Sequence, residues 1–353
     1  MNTIRASALA YENWLRGEIG ADFVEADLKE KHGKMRSGAF AFLRATYWRW
    51  AETILETCPE LANAPEVLAI GDTHLENFGT WRDGEGRLIW GANDFDDAAV
   101  MPYVLDLVRL ATSALLARGR GDPPAGEICQ AIATGYAGGL ANPGPIVLER
   151  DHKWLRKTVL LSESERRAFW SKFDIKTRKP IRLDYEERLR ASMPDPQGEC
   201  RFAPRQAGTG SLGRARFVAC SEWRGGPVLR EAKRLTISAW SYRFDPQAKA
   251  ILVEMIATGR CRAPDPHFGV KDAVLVRRLS PNSRKLEVKI SAEEFLSPRM
   301  LTLMGQEIAN CHADDPHRLP ALQQDLRERG RDWLCNAAKA AAEVVIGEQE
   351  AFA

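Results

Sequence analysis

Between residues 66 and 116 the chain alternates short apolar runs with acidic loops. Glu66 to Ile70 reads as a strand and runs into Gly71 to Gly79, GDTHLENFG. Phe78 to Trp81 and Arg87 to Trp90 read as two arms of a hairpin turned by Asp83-Gly84-Glu85-Gly86, and Asn93 to Ala98, NDFDDA, follows. Tyr103 to Leu116 then reads as a buried helix. Strand, acidic loop, hairpin, acidic loop, helix is an order that gathers carboxylates, an amide and a histidine at strand ends.

The flanking sequence sets the fold class. Helix-like apolar spacing over residues 7 to 30 and 38 to 57 predicts a helical opening, and residues 148 to 200 are polar and helical in character. Many Lys and Arg between Lys153 and Arg190 read as a solvated face or, alternatively, as a surface for an anionic substrate. Residues 201 to 290 carry the short apolar runs FVAC, PVLREA, ILVEMI, AVLVRRL and KLEVKI between turn signals, which predicts strands; helices return from about 293. The expectation is an α+β protein in three stretches. Residues 1 to 200 form a helical part with the acidic loops, 201 to 290 a small antiparallel lobe, and 291 to 353 the remaining helices.

A chain of 353 residues with 44% hydrophobic residues can build an enzyme-sized, two-lobed core. Fifty basic and 48 acidic residues leave a formal charge of +2, so no global field draws the protein to nucleic acid or to an anionic membrane. Seven scattered cysteines, an odd number with no C-x-x-C pair, argue against a disulfide framework and a zinc site. The N-terminal stretch is broken by Arg5, Glu12, Arg16 and Glu18 and lacks the apolar core of a signal peptide. A cytoplasmic protein with no membrane partner is expected.

The chemistry is in the loops. Asp72, Asn77 five residues on, and Asp94 after the hairpin have the spacing with which kinase-type sites orient a hydroxyl and hold Mg²⁺ on phosphates. Oxygen donors suit that hard cation. The competing reading is that Asp72 and Asn77 cap a turn and Asp96 or Asp97 caps the next helix. Far downstream, Gly208, Gly210 and Gly213 have the spacing G-x-G-x-x-G, but strand-like residues follow rather than a helix. Glycine loop, strand, Trp223-Arg224-Gly225-Gly226 turn, and a strand ending in Lys233 is the layout of a kinase phosphate-binding loop and lysine. The competing reading is a tight hairpin with a surface lysine.

GDTHLENFG and NDFDDA resemble the catalytic and metal-binding loops of the aminoglycoside phosphotransferase and choline kinase relatives of protein kinases. With KMRSGAFAFLRAT, PYVLDLVRLATS, GTGSLGRARF and MGQEIANCHA, the chain is similar to the uncharacterised bacterial domain-of-unknown-function family 2252, of the protein-kinase-like clan. The resemblance implies an ATP- and Mg²⁺-dependent phosphotransferase with a two-lobed kinase-like fold, acting on a hydroxyl of a small molecule or a protein side chain.

One departure is the order of the motifs. Asp72 and Asp94 precede Gly208 and Lys233, so the implied fold is circularly permuted, with Ala273 to Leu279 leading to the adenine-contacting hinge and helix Leu301 to His312 beside the catalytic loop. By the same resemblance Asp72 accepts the substrate proton, Asn77 and Asp94 ligate Mg²⁺ with Asp96 as a second choice, and Lys233 with the backbone of Thr209, Gly210, Ser211 and Leu212 holds phosphates. His74 either contacts substrate or is a structural donor. Asp106 and Arg109 are expected as a buried ion pair supporting the catalytic loop, and Arg36 and Arg44 reach phosphate or brace the loop. The acid orienting Lys233 is expected at Glu254, with Glu231 behind it. Two alternatives stand: a catalytically inactive kinase-like nucleotide-binding or regulatory module, and a metal-dependent phosphoesterase, which would need further histidine ligands.

Overall fold

In the computed structural model the described residues are 2–173, 175, 179–245, 247–283 and 294–353. The protein is of the α+β class, with three antiparallel sheets among helices. Ten strands are described: β1 Glu66–Ala69, β2 Phe78–Arg82, β3 Leu88–Ala92, β4 Ala99–Pro102, β5 Ile146–Val147, β6 Arg201–Pro204, β7 Arg216–Trp223, β8 Gly226–Arg234, β9 Gly269–Lys271 and β10 Val274–Leu279.

Strand pairing explains why the two acidic loops meet. β1 pairs with β4 so that Ala69 opposes Ala99, and β2 pairs with β3 so that Phe78 opposes Ala92. Residues 70–77 leave β1 and enter β2; residues 93–98 leave β3 and enter β4. Both loops therefore spring from the same two paired ends, and side chains from either can reach one point.

The five-stranded sheet has the order β6-β7-β8-β10-β9. Opposed residues of an antiparallel pair share a face. The register sets Arg216, Lys233 and Leu275 in one row and Val218, Glu231 and Arg277 in the next. The other face packs Ala219, Ala232 and Val274 under Tyr185 and Leu189 of helix Leu183–Ala191. The β7–β8 turn passes through Arg224 and Gly225, both at positive φ, which glycine adopts at no steric cost.

The opening helices are shorter than the periodicity predicts. The first ends at Ile19, where Gly20 turns to a φ of 51°, and the second stretch is divided at Thr46 into Ala39–Ala45 and Tyr47–Thr57. ILVEMI is not a strand: Val253–Ala257 is a short helix with Val253 and Ile256 buried. The expected strand KLEVKI lies outside the described residues.

The largest core joins the N-terminal helices to Val104–Ala117, Ala125–Ala141, Pro298–His312 and Trp333–Phe352. Ala125–Ala141 and Pro298–His312 cross closely because a Cβ at Gly135 would fall on the Thr302 carbonyl and one at Gly305 on the Ile132 carbonyl. Arg5 donates to the carbonyl of Phe352 at 2.8 Å, so the first and last helices touch. Among the described residues no helix is long and apolar enough to cross a membrane.

Candidate active site

The 70–77 loop is held from beneath by one carboxylate. Asp106, fully buried on helix Val104–Ala117, accepts from the backbone N–H of Ile70 at 2.7 Å and of Gly71 at 2.9 Å, and from Thr73 Oγ1 at 2.7 Å. His312, on the far helix, meets the same carboxylate through Nε2 at 2.9 Å, and its Nδ1 meets Tyr136 Oη at 3.0 Å. Gly71 has a φ of 87° and lies under the Asp97 carbonyl, where a Cβ would collide, so only glycine fits there.

Arg109, one turn along from Asp106, supports Asp72 instead. Its Nη2 and Nε donate to Asp72 Oδ1 at 2.5 and 3.0 Å, and its guanidinium lies over the rings of Tyr47 and Trp50. Asp106 and Arg109 thus brace the loop through separate contacts; the expected pair between them is corrected to Asp106–His312 and Arg109–Asp72. Burial pushes the Asp72 carboxyl above its ordinary range, against the pull of Arg109.

Asn77 stitches the loops together. Its Nδ2 donates to the carbonyls of Asp72 and Asp94, each at 3.0 Å, which fixes the amide orientation. Its Oδ1 is then buried with no hydrogen-bond partner among the described residues. His74 caps the short helix Leu75–Asn77, its Nδ1 accepting from Glu76 N–H at 3.1 Å. Arg44 pairs with Glu76 at 2.5 Å, whereas Arg36 stacks on Phe352 away from the loop.

The second loop meets the sheet. Lys233, 1% exposed, reaches Asp94 Oδ1 at 3.5 Å and makes a closer ion pair with Asp96. Arg214 lies 3.8 Å from Asp96 Oδ2. Asp97 does cap a helix, but a distant one: its Oδ1 accepts from the N–H of Ala239 at 2.8 Å. Burial pushes the Asp97 carboxyl up to about 6.

The structure does not bring Glu254 to Lys233. Glu254 is exposed on helix Val253–Ala257, because the period there is helical and turns it outward. Glu231 is fully buried on the row beside Lys233, yet its carboxylate takes three arginines: Arg205, Arg216 at 3.1 Å and Arg277 at 2.8 Å. These cations hold its carboxyl well below the usual range despite burial.

The glycine segment closes over the acidic loops. Gly208 has a φ of 79°; a Cβ there would lie 2.8 Å from Ser211 Oγ. The Cβ position of Gly210 is 3.3 Å from Asp72 Oδ2. Gly213, with a φ of 96°, packs instead toward Phe23 and Leu28. A cleft of about 590 Å³ is lined by Asp72, His74, Asn77, Asp94, Asp96 and the 208–211 loop, with Trp81, Phe268 and Leu279 farther along its wall. Lys233, Gly213 and Glu254 do not line it; Lys233 is buried behind Asp94 and Asp96, which do.

The arginines of the sheet, together with Arg262, were not legible as site residues. Arg262 pairs with Glu307, donates to the Ala92 carbonyl at 2.8 Å and lies over the rings of Trp81 and Phe95. A signal for the sheet arginines existed in R-A-R-F and V-R-R-L, where Arg216 and Arg277 stand at strand positions that face the same way as Lys233. Among the described residues no three His, Cys, Asp or Glu side chains gather into a metal-binding group.

The fold and the cleft define a mixed α+β protein in which polar and charged side chains from two acidic loops and an antiparallel sheet converge on one cleft. Residues 24–142 match the domain-of-unknown-function family 2252, described as an uncharacterized protein conserved in bacteria. The matched stretch holds both acidic loops and helix Val104–Ala117, but not the glycine segment or Lys233. No curated protein and no solved structure matches the chain.

Proposed function

We propose that the protein is an ATP- and Mg²⁺-dependent phosphotransferase that moves a phosphoryl group to a hydroxyl, on a permuted kinase-like fold. The observation that carries this reading is the convergence of Asp72, Asn77 and Asp94 with the 208–211 loop on one cleft, with Lys233 paired to Asp94 behind it. Each element alone has a structural explanation. Their meeting across long chain separations has the arrangement that phosphoryl transfer needs.

In this reading the acceptor oxygen attacks the terminal phosphorus of the nucleotide, the bond from that phosphorus to its bridging oxygen breaks, and the nucleoside diphosphate leaves. Asp72 takes the hydroxyl proton. Arg109 holds Oδ1, which leaves Oδ2 on the side of the 208–211 loop, and burial raises the basicity of the carboxylate. Asn77 Oδ1 and the carboxylates of Asp94 and Asp96 fit a Mg²⁺ site, being hard oxygen donors of which the amide oxygen is buried and unbonded among the described residues. Bound there, the metal would supply charge compensation for the phosphates. Trp81, Phe268 and Leu279 offer an apolar wall for a base.

Asp72→Ala is expected to lose on the order of 10² to 10⁴ in turnover while retaining ATP affinity, and Asp94→Ala to weaken binding of the Mg²⁺ nucleotide. A phosphorylation screen with labelled ATP, paired with calorimetric nucleotide binding, reads both; parental turnover in Asp72→Ala removes it as the base. One observation favours a second reading, a catalytically inactive nucleotide-binding module: Lys233 is engaged by both candidate metal carboxylates. Nucleotide binding without phosphoryl transfer to any acceptor or to water would select it.

A further inference from the structure

A cluster of arginines lines the sheet side of the cleft. Arg205, Arg216 and Arg277 all turn onto the single carboxylate of Glu231, three cations on one anion in a wall that is largely closed to water. Lys233, in the adjacent row, adds a further positive charge near Glu231, but its own ion pairs are with Asp94 and Asp96. Taking charges out of water costs several kcal/mol per ion unless they are paired; Glu231, with Asp94 and Asp96 acting on Arg277, offsets part of this excess, and a further anion would offset more.

Geometry says which anion. Arg216 is 6% exposed and its Nη2 donates to Ser211 Oγ at 2.7 Å, so its guanidinium lies directly under the glycine segment. The Cβ position of Gly208 is 3.4 Å from that same Nη2. Arg277 uses Nε and Nη2 on Glu231 at 2.9 and 2.8 Å, and its Nη1 points to the Asn93 carbonyl at 3.5 Å, beside the second acidic loop. Arg205 Nε is buried with no hydrogen-bond partner among the described residues. Arg205, Arg216 and Arg277 all line the cleft. A row of planar donors fixed by a shared carboxylate matches a chain of phosphate oxygens, which guanidinium groups bind through paired N–H bonds.

We propose that Arg216 and Arg277, with Arg205 beside them and all three oriented by Glu231, form the polyphosphate cradle of the cleft, and that Lys233 is a clamp on Asp94 and Asp96. This rests on the phosphotransferase reading for the identity of the ligand as a nucleoside di- or triphosphate. The cradle itself is a statement about anion binding and stands or falls separately.

The test compares ATP, AMP and inorganic tripolyphosphate by calorimetry on the full chain, for the parent and for Arg277→Gln, Arg277→Lys, Lys233→Met, Glu231→Gln and Glu231→Asp. Arg277→Gln is expected to lose at least tenfold in affinity for ATP and tripolyphosphate, with AMP affinity changed less. Arg277→Lys should recover part of the loss, because it keeps the charge but not the fork. Lys233→Met should change tripolyphosphate affinity less than threefold. Glu231→Gln keeps the side chain's size but removes the charge that orients the three guanidinium groups, so it should weaken tripolyphosphate binding at least threefold while changing AMP affinity less, and Glu231→Asp should recover part of the loss. If Lys233→Met loses tenfold and Arg277→Gln binds as the parent does, the assignment is wrong. If the parent binds tripolyphosphate but no nucleotide, the cradle stands and the phosphotransferase reading falls; if it binds neither, the cradle falls.

Discussion

Asp97 shows how a single buried carboxylate ties the site to stability. It joins the second acidic loop to the N-terminus of helix Ala239–Phe244, and burial pushes its carboxyl up to about 6 from 3.8. A carboxyl raised in the folded state favours folding while protonated. That contribution is complete below about pH 4 and is lost as the pH climbs through about 6. Asp97→Asn keeps the acceptor for the Ala239 N–H and removes the charge, so it should stabilise the protein at pH 7 by on the order of 2–3 kcal/mol and change little at pH 4. Thermal melts at the two pH values check this; an equal gain at both would show that the charge is not the cause. That Asp72, Asn77 and Asp94 would meet was legible, because they stand at fixed local spacing in two loops that leave paired strand ends. Glu231 was only a second choice for the partner of Lys233 and proved to serve arginines, because a residue's partner across a sheet depends on register, which a single strand does not disclose.

At the scale of elements, helix Pro298–His312 does more than pack beside the 70–77 loop. It carries His312 to Asp106 and Glu307 to Arg262, and a Cβ at Gly91 would meet the Glu307 carboxylate. Its position depends on the crossing with Ala125–Ala141 at Gly135, Gly139 and Gly305. Gly135→Ala must push the Thr302 backbone away and is expected to destabilise by about 1–3 kcal/mol or more. Because the crossing also sets Asp106, the same variant should speed amide exchange at Ile70 and Gly71, which hydrogen-exchange measurements read; unchanged protection there would show that the crossing and the loop are uncoupled. Helices and hairpins with clear period were legible from sequence. Val253–Ala257 was not, since a nearly continuous apolar run this short fits either period and only its packing decides.

Over the whole molecule, the proposed permutation has a direct physical test. The Arg5–Phe352 contact brings the chain's first and last helices together, and residues 194–197 are exposed between helix Leu183–Ala191 and β6. Joining the two ends with a short Gly-Ser linker and opening the chain between Pro196 and Gln197 puts the glycine segment and Lys233 ahead of Asp72. Packed contacts are retained, so the rearranged chain is expected to fold with a circular dichroism spectrum and a melting temperature like the parent's. A chain that melts without cooperativity would show that the original connectivity is itself needed. The α+β class and the place of the antiparallel sheet could be read from the alternation of patterns; the closeness of the two ends could not, because it arises from packing between helices at opposite ends of the sequence.

The pairing of Lys233 with Asp94 also has a consequence in time. The two residues are 139 positions apart, so at about 5–20 residues per second a ribosome delivers the acid roughly 7 to 30 seconds before its cation. During that interval the 93–98 loop has its hairpin but not Lys233 or Arg214, while the 70–77 loop already has Arg109. The first acidic loop can therefore gain Arg109 and Asp106 early, whereas the second gains Lys233 and Arg214 only when the sheet docks, and His312 reaches Asp106 last of all.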